Sequence, residues 1–262
     1  MPTTSRSTEA AVARPSSTVV LARDGVTAPE LYLVRRHAQS SFGDTYAFPG
    51  GVVEPADAGV SRFCRGLSID EANRSLELED GPIDYYSAAI RELFEESGVL
   101  LAGKQPDEPV DAADLTSARD ALNGGTLSWD RFVADRQLVL CCDALHYFSF
   151  WITPVFFDKR YATRFFLAQM PGDQLASHCG GELTDSCWMT AAQVLDAVRL
   201  DDMRIPPPTQ RTLEALSAHD SVASMLDWAD RCRRQGVPCI LPVVVERPDG
   251  SRVVEYPDDR DE

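Results

Sequence analysis

A cluster of three glutamates constrains this chain more than any other feature of its sequence. Residues 88–97 are mostly good helix formers, and Gly98 is a natural stop signal for a helix. Within that helix Glu92, Glu95 and Glu96 stand at positions i, i+3 and i+4, which places three carboxylates on one face within one turn. Because like charges this close repel each other, the spacing predicts either a well-solvated acidic face or a bound cation.

The residues around the cluster favour the cation. Carboxylate oxygens are hard ligands that suit Mg²⁺, Mn²⁺ or Ca²⁺, and not zinc or copper. Upstream, Phe48-Pro49-Gly50-Gly51 is a tight and permissive turn where the backbone can approach a metal or a phosphate. Arg91 precedes Glu92 directly and lies four residues before Glu95, so it can orient both carboxylates.

Together the two segments resemble the Nudix box. The family pattern is Gly-x5-Glu-x7-Arg-Glu-U-x-Glu-Glu-x-Gly-U, with U aliphatic, and residues 91–99 match its second half at each specified position. In the first half, Gly51 is followed after five residues by Asp57, where the family has Glu. Residues 58–90 make 33 residues where the pattern has seven, so 26 are inserted. This split resembles the long-insertion branch of the Nudix hydrolases, which includes a peroxisomal coenzyme A diphosphatase.

The resemblance implies a fold and a metal site. The fold is the Nudix fold, an α/β (α+β) architecture in which a mixed β-sheet is sandwiched between helices. The metal is Mg²⁺ (or Mn²⁺), held by Glu92, Glu95 and Glu96 with a backbone carbonyl from Gly51. The same three glutamates and Arg91 would be the catalytic residues.

Further site residues follow from the same resemblance. Glu182 precedes a strand Trp, as a glutamate does in many family members, so the general base is either Glu182 or Glu92. Arg36 ends a strand before the glycine turn and, with Ala38 and Gly43, partly resembles a segment of coenzyme A-cleaving members. The candidates for contact with an anionic substrate are Arg36, Arg160 and Arg164. For Arg36 the alternative is a solvated pair of arginines at a strand end, and for Arg160 and Arg164 it is charge balance on an acidic surface.

The reaction implied is hydrolysis of the diphosphate linkage in a nucleoside diphosphate derivative, giving two monophosphates. Coenzyme A or an acyl-coenzyme A is the favoured substrate, because of the insertion and the partial match around Arg36. The alternative substrate is ADP-ribose, or another nucleotide-sugar or dinucleotide. The alternative of another class is a catalytically inactive Nudix-like nucleotide-binding module, and the presence of all three box glutamates counts against it.

Composition and charge narrow the classes of partner. The 262 residues are 44% apolar and 25% charged, as in ordinary soluble globular proteins. A net charge of −16 without a basic run argues against a nucleic acid or an anionic membrane as partner. The seven cysteines include no Cys-x-x-Cys pair and no signal peptide precedes them, which indicates reduced thiols and a cytoplasmic location. The expected partner is a small-molecule substrate, and a homodimer stays open.

The sequence predicts a disordered tail over residues 1–15, which show no periodic pattern, and one Nudix hydrolase domain over residues 16–262. A hairpin is expected from residues 17–22 and 31–36. The insertion, residues 58–83, would contain a short helix capped by Ser68 and either wall the substrate pocket or form a surface excursion. Residues 206–262 form a C-terminal extension of two helices and a hairpin, which would pack on the core or mediate dimerisation.

Overall fold

The computed structural model describes residues 11–37, 44–103, 112–180, 183–247, 250 and 252–256. The strands are β1 (Arg14–Arg23), β2 (Glu30–Arg36), β3 (Tyr46–Ala47), β4 (Gly50–Val52), β5 (Cys64–Arg65), β6 (Ala102–Gly103), β7 (Val139–Cys141), β8 (His146–Ile152), β9 (Tyr161–Gln169), β10 (Leu183–Thr190), β11 (Cys239–Ile240), β12 (Val243–Glu246) and β13 (Arg252–Glu255). The helices are α1 (Pro55–Ala58), α2 (Ile69–Leu76), α3 (Pro82–Ser97), α4 (Ala112–Asn123), α5 (Trp129–Asp135), α6 (Ala191–Arg199), α7 (Pro207–Leu216) and α8 (Val222–Gln235).

A mixed β-sheet forms the centre of the fold. Its strand order is β10-β2-β1-β9-β8-β11, with β3 paired to β2 and β4 paired to β1. Strands β1 and β2 form the antiparallel hairpin that the sequence predicts, whereas β1 and β9 run parallel. Two small sheets, β5-β7-β6 and β12-β13, lie outside this central sheet.

Alternation along β1 divides the core into two layers. Val19 and Leu21 belong to one buried cluster, and Val20 and Ala22 belong to the other, because successive side chains of a strand point to opposite faces. Helices α2 to α5 contribute to the first cluster, and α6 to α8 contribute to the second. The sheet is therefore sandwiched between helices, as expected.

Helix α3 carries the three glutamates across the first face of the sheet. It begins at Pro82, earlier than the sequence indicates, because proline suits the first turn of a helix. It ends at Gly98, whose φ of 75° is the left-handed conformation that glycine adopts most readily. Leu93 and Phe94 of this helix are fully buried. Glu92 and Glu95 stay partly exposed, whereas Glu96 is buried.

The insertion forms a structured layer beside α3. Ser68 caps α2, since its hydroxyl accepts from the backbone N–H of Glu71 while the Glu71 carboxylate accepts from the backbone N–H of Ser68. Ala72 and Leu76 of the same helix are buried in the first core cluster. Its apolar face thus supports α3.

The first strand and the C-terminal helices are also part of the folded domain. Strand β1 begins at Arg14, so Arg14 and Pro15 belong to the sheet and not to the tail in which the sequence placed them; residues 1–10 lie outside the described ones. Leu213 of α7 and Met225 of α8 are buried in the second cluster, so the C-terminal helices pack on the core. All seven cysteines are free. Within the described ranges, no helix combines the length and apolar character needed to cross a membrane.

Candidate active site

A cleft of about 2260 Å³ lies where strand β1 begins, beside the end of β8 and the start of β9. Glu92, Glu95 and Glu96 all line it. The rest of its wall comes from the turn before α1, the end of α4, the β8–β9 loop and parts of the C-terminal segments around Pro207 and Val243. The structure therefore brings the two halves of the sequence motif to one wall of a large cleft.

Arg91 is the hub of this wall. Its side chain is almost fully buried, and its Nη1 donates to Oε1 of Glu92 at 2.9 Å and to Oε2 of Glu95 at 3.0 Å. Its Nη2 donates to the carbonyl of Val52 at 2.8 Å, which ties α3 to β4. One guanidinium thus sets the direction of two carboxylates and the position of the neighbouring strand.

Asp57 anchors Arg91 from behind and does not face the cleft. Its two oxygens accept from Nε and Nη2 of Arg91 at 3.1 and 3.0 Å, and it is completely buried. It also accepts from the backbone N–H of Glu54 at 2.8 Å and from the hydroxyl of Ser87 at 3.1 Å. Trp129 of α5 donates to the same hydroxyl at 2.9 Å. The carboxylate that departs from the family pattern is therefore fully engaged in holding the hub.

The glycine turn brings backbone against the glutamates. The backbone N–H of Gly50 donates to Oε2 of Glu96 at 3.0 Å, and the carbonyl of Gly50 accepts from Nη2 of Arg36 at 2.7 Å. Arg36 also lies 3.6 Å from Oε1 of Glu96. At Gly51, a Cβ atom would collide with the Glu92 carboxylate. Only glycine permits this close approach.

Burial and neighbouring charges shift the pKa values of Glu92 and Glu95. Burial raises the pKa of Glu92 above its ordinary value, and the charge of Arg91 offsets this only in part. Burial, together with the charge of Glu92, raises the pKa of Glu95 to about 7 against the pull of Arg91. Both carboxylates are therefore harder to ionise here than in water, and a nearby cation would favour their ionised forms.

The donor set suits a hard divalent cation. Four carboxylates, from Asp57, Glu92, Glu95 and Glu96, face two guanidiniums, and a divalent cation would balance the charge. Within the residues that the structure describes, no group of three or more His, Cys, Asp or Glu side chains stands arranged to hold an ion. Instead, Arg91 donates to the carboxylates of Glu92 and Glu95, and the backbone N–H of Gly50 donates to that of Glu96. An entering cation would compete with those contacts.

Arg119 and Asn123 are site residues that the sequence analysis missed. Nε of Arg119 and Nδ2 of Asn123 both donate to the carbonyl of Glu95, at 3.0 and 3.2 Å, and both residues line the cleft. Burial lowers the pKa of Arg119. No motif could have indicated them, because they reach the glutamates from α4 through tertiary packing. Glu54, also on the cleft wall, was missed as well.

Two predicted substrate contacts lie away from the cleft. Arg164 is buried, with its guanidinium carbon 4.2 Å from the ring centre of Tyr85 and 4.4 Å from that of Phe150, and its Nη2 donates to the carbonyl of Leu76 at 3.0 Å. Arg160 donates to the carbonyl of Thr153 at 2.9 Å and does not line the cleft. Of the predicted arginines, the structure brings Arg36 to the glutamates. The predicted Glu182, with Ala38 and Gly43, lies outside the described residues.

The insertion also lies outside the cleft wall. The described lining residues pass from Glu54 directly to Arg91, so residues 58–83 contribute none of them. The sequence left open whether the insertion walls the substrate pocket or forms a surface excursion. The described residues of the insertion do not form a wall of the cleft. The insertion packs instead behind α3 and is joined to β9 through Arg164 and Leu76.

Comparison with known proteins agrees with this geometry. Residues 71–216, more than half of the chain, match the family model described as the NUDT19 Nudix domain. Relatives from Xenopus laevis and Homo sapiens, both named acyl-coenzyme A diphosphatase NUDT19, are 26% identical; each alignment covers 84% of this chain and 68% of the relative. A relative from Caenorhabditis elegans, whose name describes a nudix hydrolase, is also 26% identical over 85% of this chain. The chain spans 64% of that relative, slightly less than two thirds of its length.

The fold itself has a solved counterpart. The crystal structure of a NUDIX hydrolase from Alicyclobacillus acidocaldarius superposes with a TM-score of 0.66 at 25% identity, over 82% of this chain and 96% of that one. The predicted Nudix fold and the predicted enzyme class, a Nudix hydrolase, are confirmed. Proteins of this class act on small nucleotide substrates and generally use divalent metal ions. With its box assembled around Arg91 and its sequence matched over more than half of its length, the chain belongs to the NUDT19 Nudix domain family.

Proposed function

We propose that this protein hydrolyses the diphosphate linkage of coenzyme A or an acyl-coenzyme A, giving two monophosphates. The observation that carries the proposal is that Glu92, Glu95 and Glu96 share one wall of a large cleft, with Glu92 and Glu96 against the Gly50-Gly51 turn and Glu95 held by Arg91. The substrate is supported by the relatives named acyl-coenzyme A diphosphatase, at 26% identity.

The proposal includes a divalent cation, Mg²⁺ or Mn²⁺. Glu92, Glu95 and Glu96, with the backbone carbonyl of Gly51, would hold it. When bound, such an ion neutralises the charge of a diphosphate and lowers the pKa of a coordinated water. The excess of carboxylates over guanidiniums at this wall, and the raised pKa of Glu95, support a site built to receive positive charge.

The protein's own side chains orient the reacting groups and accept a proton. Arg91 holds Glu92 and Glu95 on the cleft wall, and a bound cation would replace part of these contacts. Because burial raises the pKa of Glu92, its carboxylate is a stronger base than an exposed one and suits the removal of a proton from water. Glu182 is the alternative base. Arg36, partly exposed beside Glu96, is placed to contact an anionic group of the substrate.

Product analysis by mass spectrometry tests the proposal. Incubation with coenzyme A and Mg²⁺ is expected to yield 4′-phosphopantetheine and adenosine 3′,5′-bisphosphate, and Glu96→Gln is expected to yield neither while keeping the wild-type circular dichroism spectrum. Hydrolysis of ADP-ribose without hydrolysis of coenzyme A would replace the substrate but keep the chemistry. Protein that cleaves neither compound, with either metal, would favour the inactive binding module.

Location and assembly are part of the same proposal. We expect a cytoplasmic enzyme, because all seven cysteines are free, as thiols are in a reducing compartment. A homodimer is the assembly to test, by analytical ultracentrifugation of the full chain. Cell fractionation with an antibody against the protein tests the location, and recovery in a membrane or organelle pellet would contradict it.

A further inference from the structure

The cleft has an apolar end as well as a charged one. Val155, Phe156 and Phe157 lie consecutively in the β8–β9 loop and line the cleft, although 57%, 54% and 40% of their surfaces are exposed. Val254 of β13, which is 48% exposed, and Leu241 line the same cleft. Large apolar side chains that stay exposed together, next to a charged catalytic wall, mark a site for an apolar ligand group.

The loop that presents these residues is fixed at its base. The backbone N–H of Thr153 donates to the carbonyl of Tyr161 at 2.9 Å, and the backbone N–H of Tyr161 donates to the Thr153 hydroxyl at 3.1 Å. Arg160 donates from Nε to the carbonyl of Thr153 at 2.9 Å and from Nη1 to the carbonyl of Ala11 at 2.6 Å. A surface braced in this way needs little ordering when a ligand binds, which favours affinity.

Strand register gives the distance from the charged wall to the apolar loop. Ser17 pairs with Gly51 on one side and with Arg164 on the other, so those two residues are two strand spacings apart, about 10 Å. Tyr161, where β9 leaves the loop, lies three residues along the strand from Arg164, or about another 10 Å at right angles. The base of the loop is therefore about 14 Å from Gly51.

This separation matches the reach of a pantetheine arm. From the diphosphate to the sulfur, the arm has about thirteen bonds, which span about 15 Å when extended at the length per bond of a peptide chain. A diphosphate placed against the glutamates and Gly51 would thus bring the sulfur to the apolar loop. An acyl group on that sulfur would begin at the base of the loop, whose residues Phe156 and Phe157 line the same cleft.

We propose that Val155, Phe156 and Phe157, together with Val254 of the same cleft, form the subsite for the acyl chain of an acyl-coenzyme A. The inference rests on the proposed function and deepens it, because it names the thioester as the preferred form of the substrate. The subsite binds the acyl chain by removing it and the exposed phenyl rings from water. Specificity then depends on the length of the acyl chain.

Binding without catalysis is the first test. In EDTA, calorimetric titration of the wild-type protein is expected to show octanoyl-coenzyme A binding about tenfold tighter than coenzyme A, since only part of the chain's methylene surface is buried in an open cleft. The double variant Phe156→Ser/Phe157→Ser is expected to bring the two affinities within about twofold of each other. Leu175→Ser, at a residue that is 90% exposed and lies outside the cleft wall, is the matched control and keeps the wild-type ratio.

Turnover with Mg²⁺ is the second test. The ratio of kcat/KM for octanoyl-coenzyme A to that for coenzyme A is expected to fall about tenfold in the double variant, mainly through KM. If circular dichroism shows that the double variant is unfolded, the single variant Phe156→Ser replaces it in both tests. Equal ratios in wild type and variant, in both tests, would overturn the subsite.

Two other outcomes separate this inference from the proposed function. If coenzyme A and its thioesters are not cleaved while ADP-ribose is, the proposed substrate fails, and the binding ratio in EDTA still decides the subsite. If the wild type sediments as a dimer and the double variant as a monomer, with unchanged chain-length ratios, the apolar loop is an interface between two copies and the subsite is overturned.

Discussion

Asp57 and Arg91 form a closed ion pair behind the glutamate wall, with both oxygens of the carboxylate accepting from the guanidinium at 3.1 and 3.0 Å. The side chain of Asp57 is 0% exposed and that of Arg91 is 4% exposed. Because the remaining edge of the same guanidinium holds Glu92 and Glu95, the pair determines where two of the three box glutamates point. Stability and catalysis therefore share one interaction.

Asp57→Asn is expected to lower the free energy of unfolding by about 2 kcal/mol, because the buried guanidinium keeps Glu92 and Glu95 but loses one of its three carboxylate partners, and the amide can accept only one of its two hydrogen bonds. Urea denaturation without metal measures this loss. The matched control is Asp44→Asn, which removes the partner of Arg35 from an exposed ion pair and should change stability by less than about 0.5 kcal/mol. Equal losses in the two variants would show that the buried pair contributes no more than a surface pair.

Gly51→Ala is expected to reduce kcat by about a hundredfold or more while leaving the protein folded, because the added methyl group would displace the Glu92 carboxylate. Steady-state kinetics and circular dichroism measure the two effects. Gly172→Ala is the control, since a Cβ there meets no atom within 4 Å. A Gly51→Ala enzyme with wild-type kcat would mean that the approach of Glu92 to the turn is not needed for turnover.

The sequence predicted those parts of the fold that depend on local chemistry. Gly98 ends α3 and Ser68 caps α2 because a left-handed glycine and a capping hydroxyl act within a few residues of themselves. The glutamate cluster was predictable for the same reason, since i, i+3 and i+4 spacing fixes one helix face. The start of β1 was placed too late, because the pairing of Arg14 with Tyr161 involves a distant strand.

Long-range packing explains what the sequence did not predict. Arg119 reaches the carbonyl of Glu95 from another helix, and no local pattern marks that contact. The insertion was left open between a pocket wall and a surface excursion, and the burial of Ala72 and Leu76 decided its place behind α3. Arg164 was chosen as a substrate contact from its charge near a strand start, but strand register buries it between two aromatic rings.

Arg36 and Arg164 are expected to behave differently on substitution. Arg36→Met should raise KM for coenzyme A about tenfold with little change in stability, because the side chain is 30% exposed in the cleft beside Glu96. Arg164→Met should lower the free energy of unfolding by about 1–2 kcal/mol, because the carbonyl of Leu76 loses its donor, and should leave KM within about twofold. Kinetics and urea denaturation of both variants test this. A raised KM for Arg164→Met, in folded protein, would restore it as a substrate contact.

The stability of the metal-free protein is expected to depend on the ionisation of Glu95. Its pKa rises from an ordinary value of 4.5 to about 7 in the folded chain, chiefly through burial, so the folded state holds this proton more tightly than the unfolded chain does. That contribution is present in full below pH 4.5 and is lost as the pH rises through about 7. Glu95→Gln cannot ionise, so its stability relative to wild type should increase by about 2 kcal/mol from about pH 5 to about pH 8.

Urea denaturation in EDTA across that pH range measures the difference, and Glu214→Gln, at an exposed residue of α7 far along the chain from the cluster, is the control. Saturating Mg²⁺ should reduce the relative gain of the Glu95→Gln variant at the upper end of the range, because a bound cation stabilises the ionised carboxylate in place of the proton. A difference between Glu95→Gln and wild type that stays constant with pH would show that Glu95 is already ionised in the metal-free fold. In that case the contact with Arg91 would be enough to keep Glu95 ionised, and the raised pKa of Glu95 would no longer support a cation site.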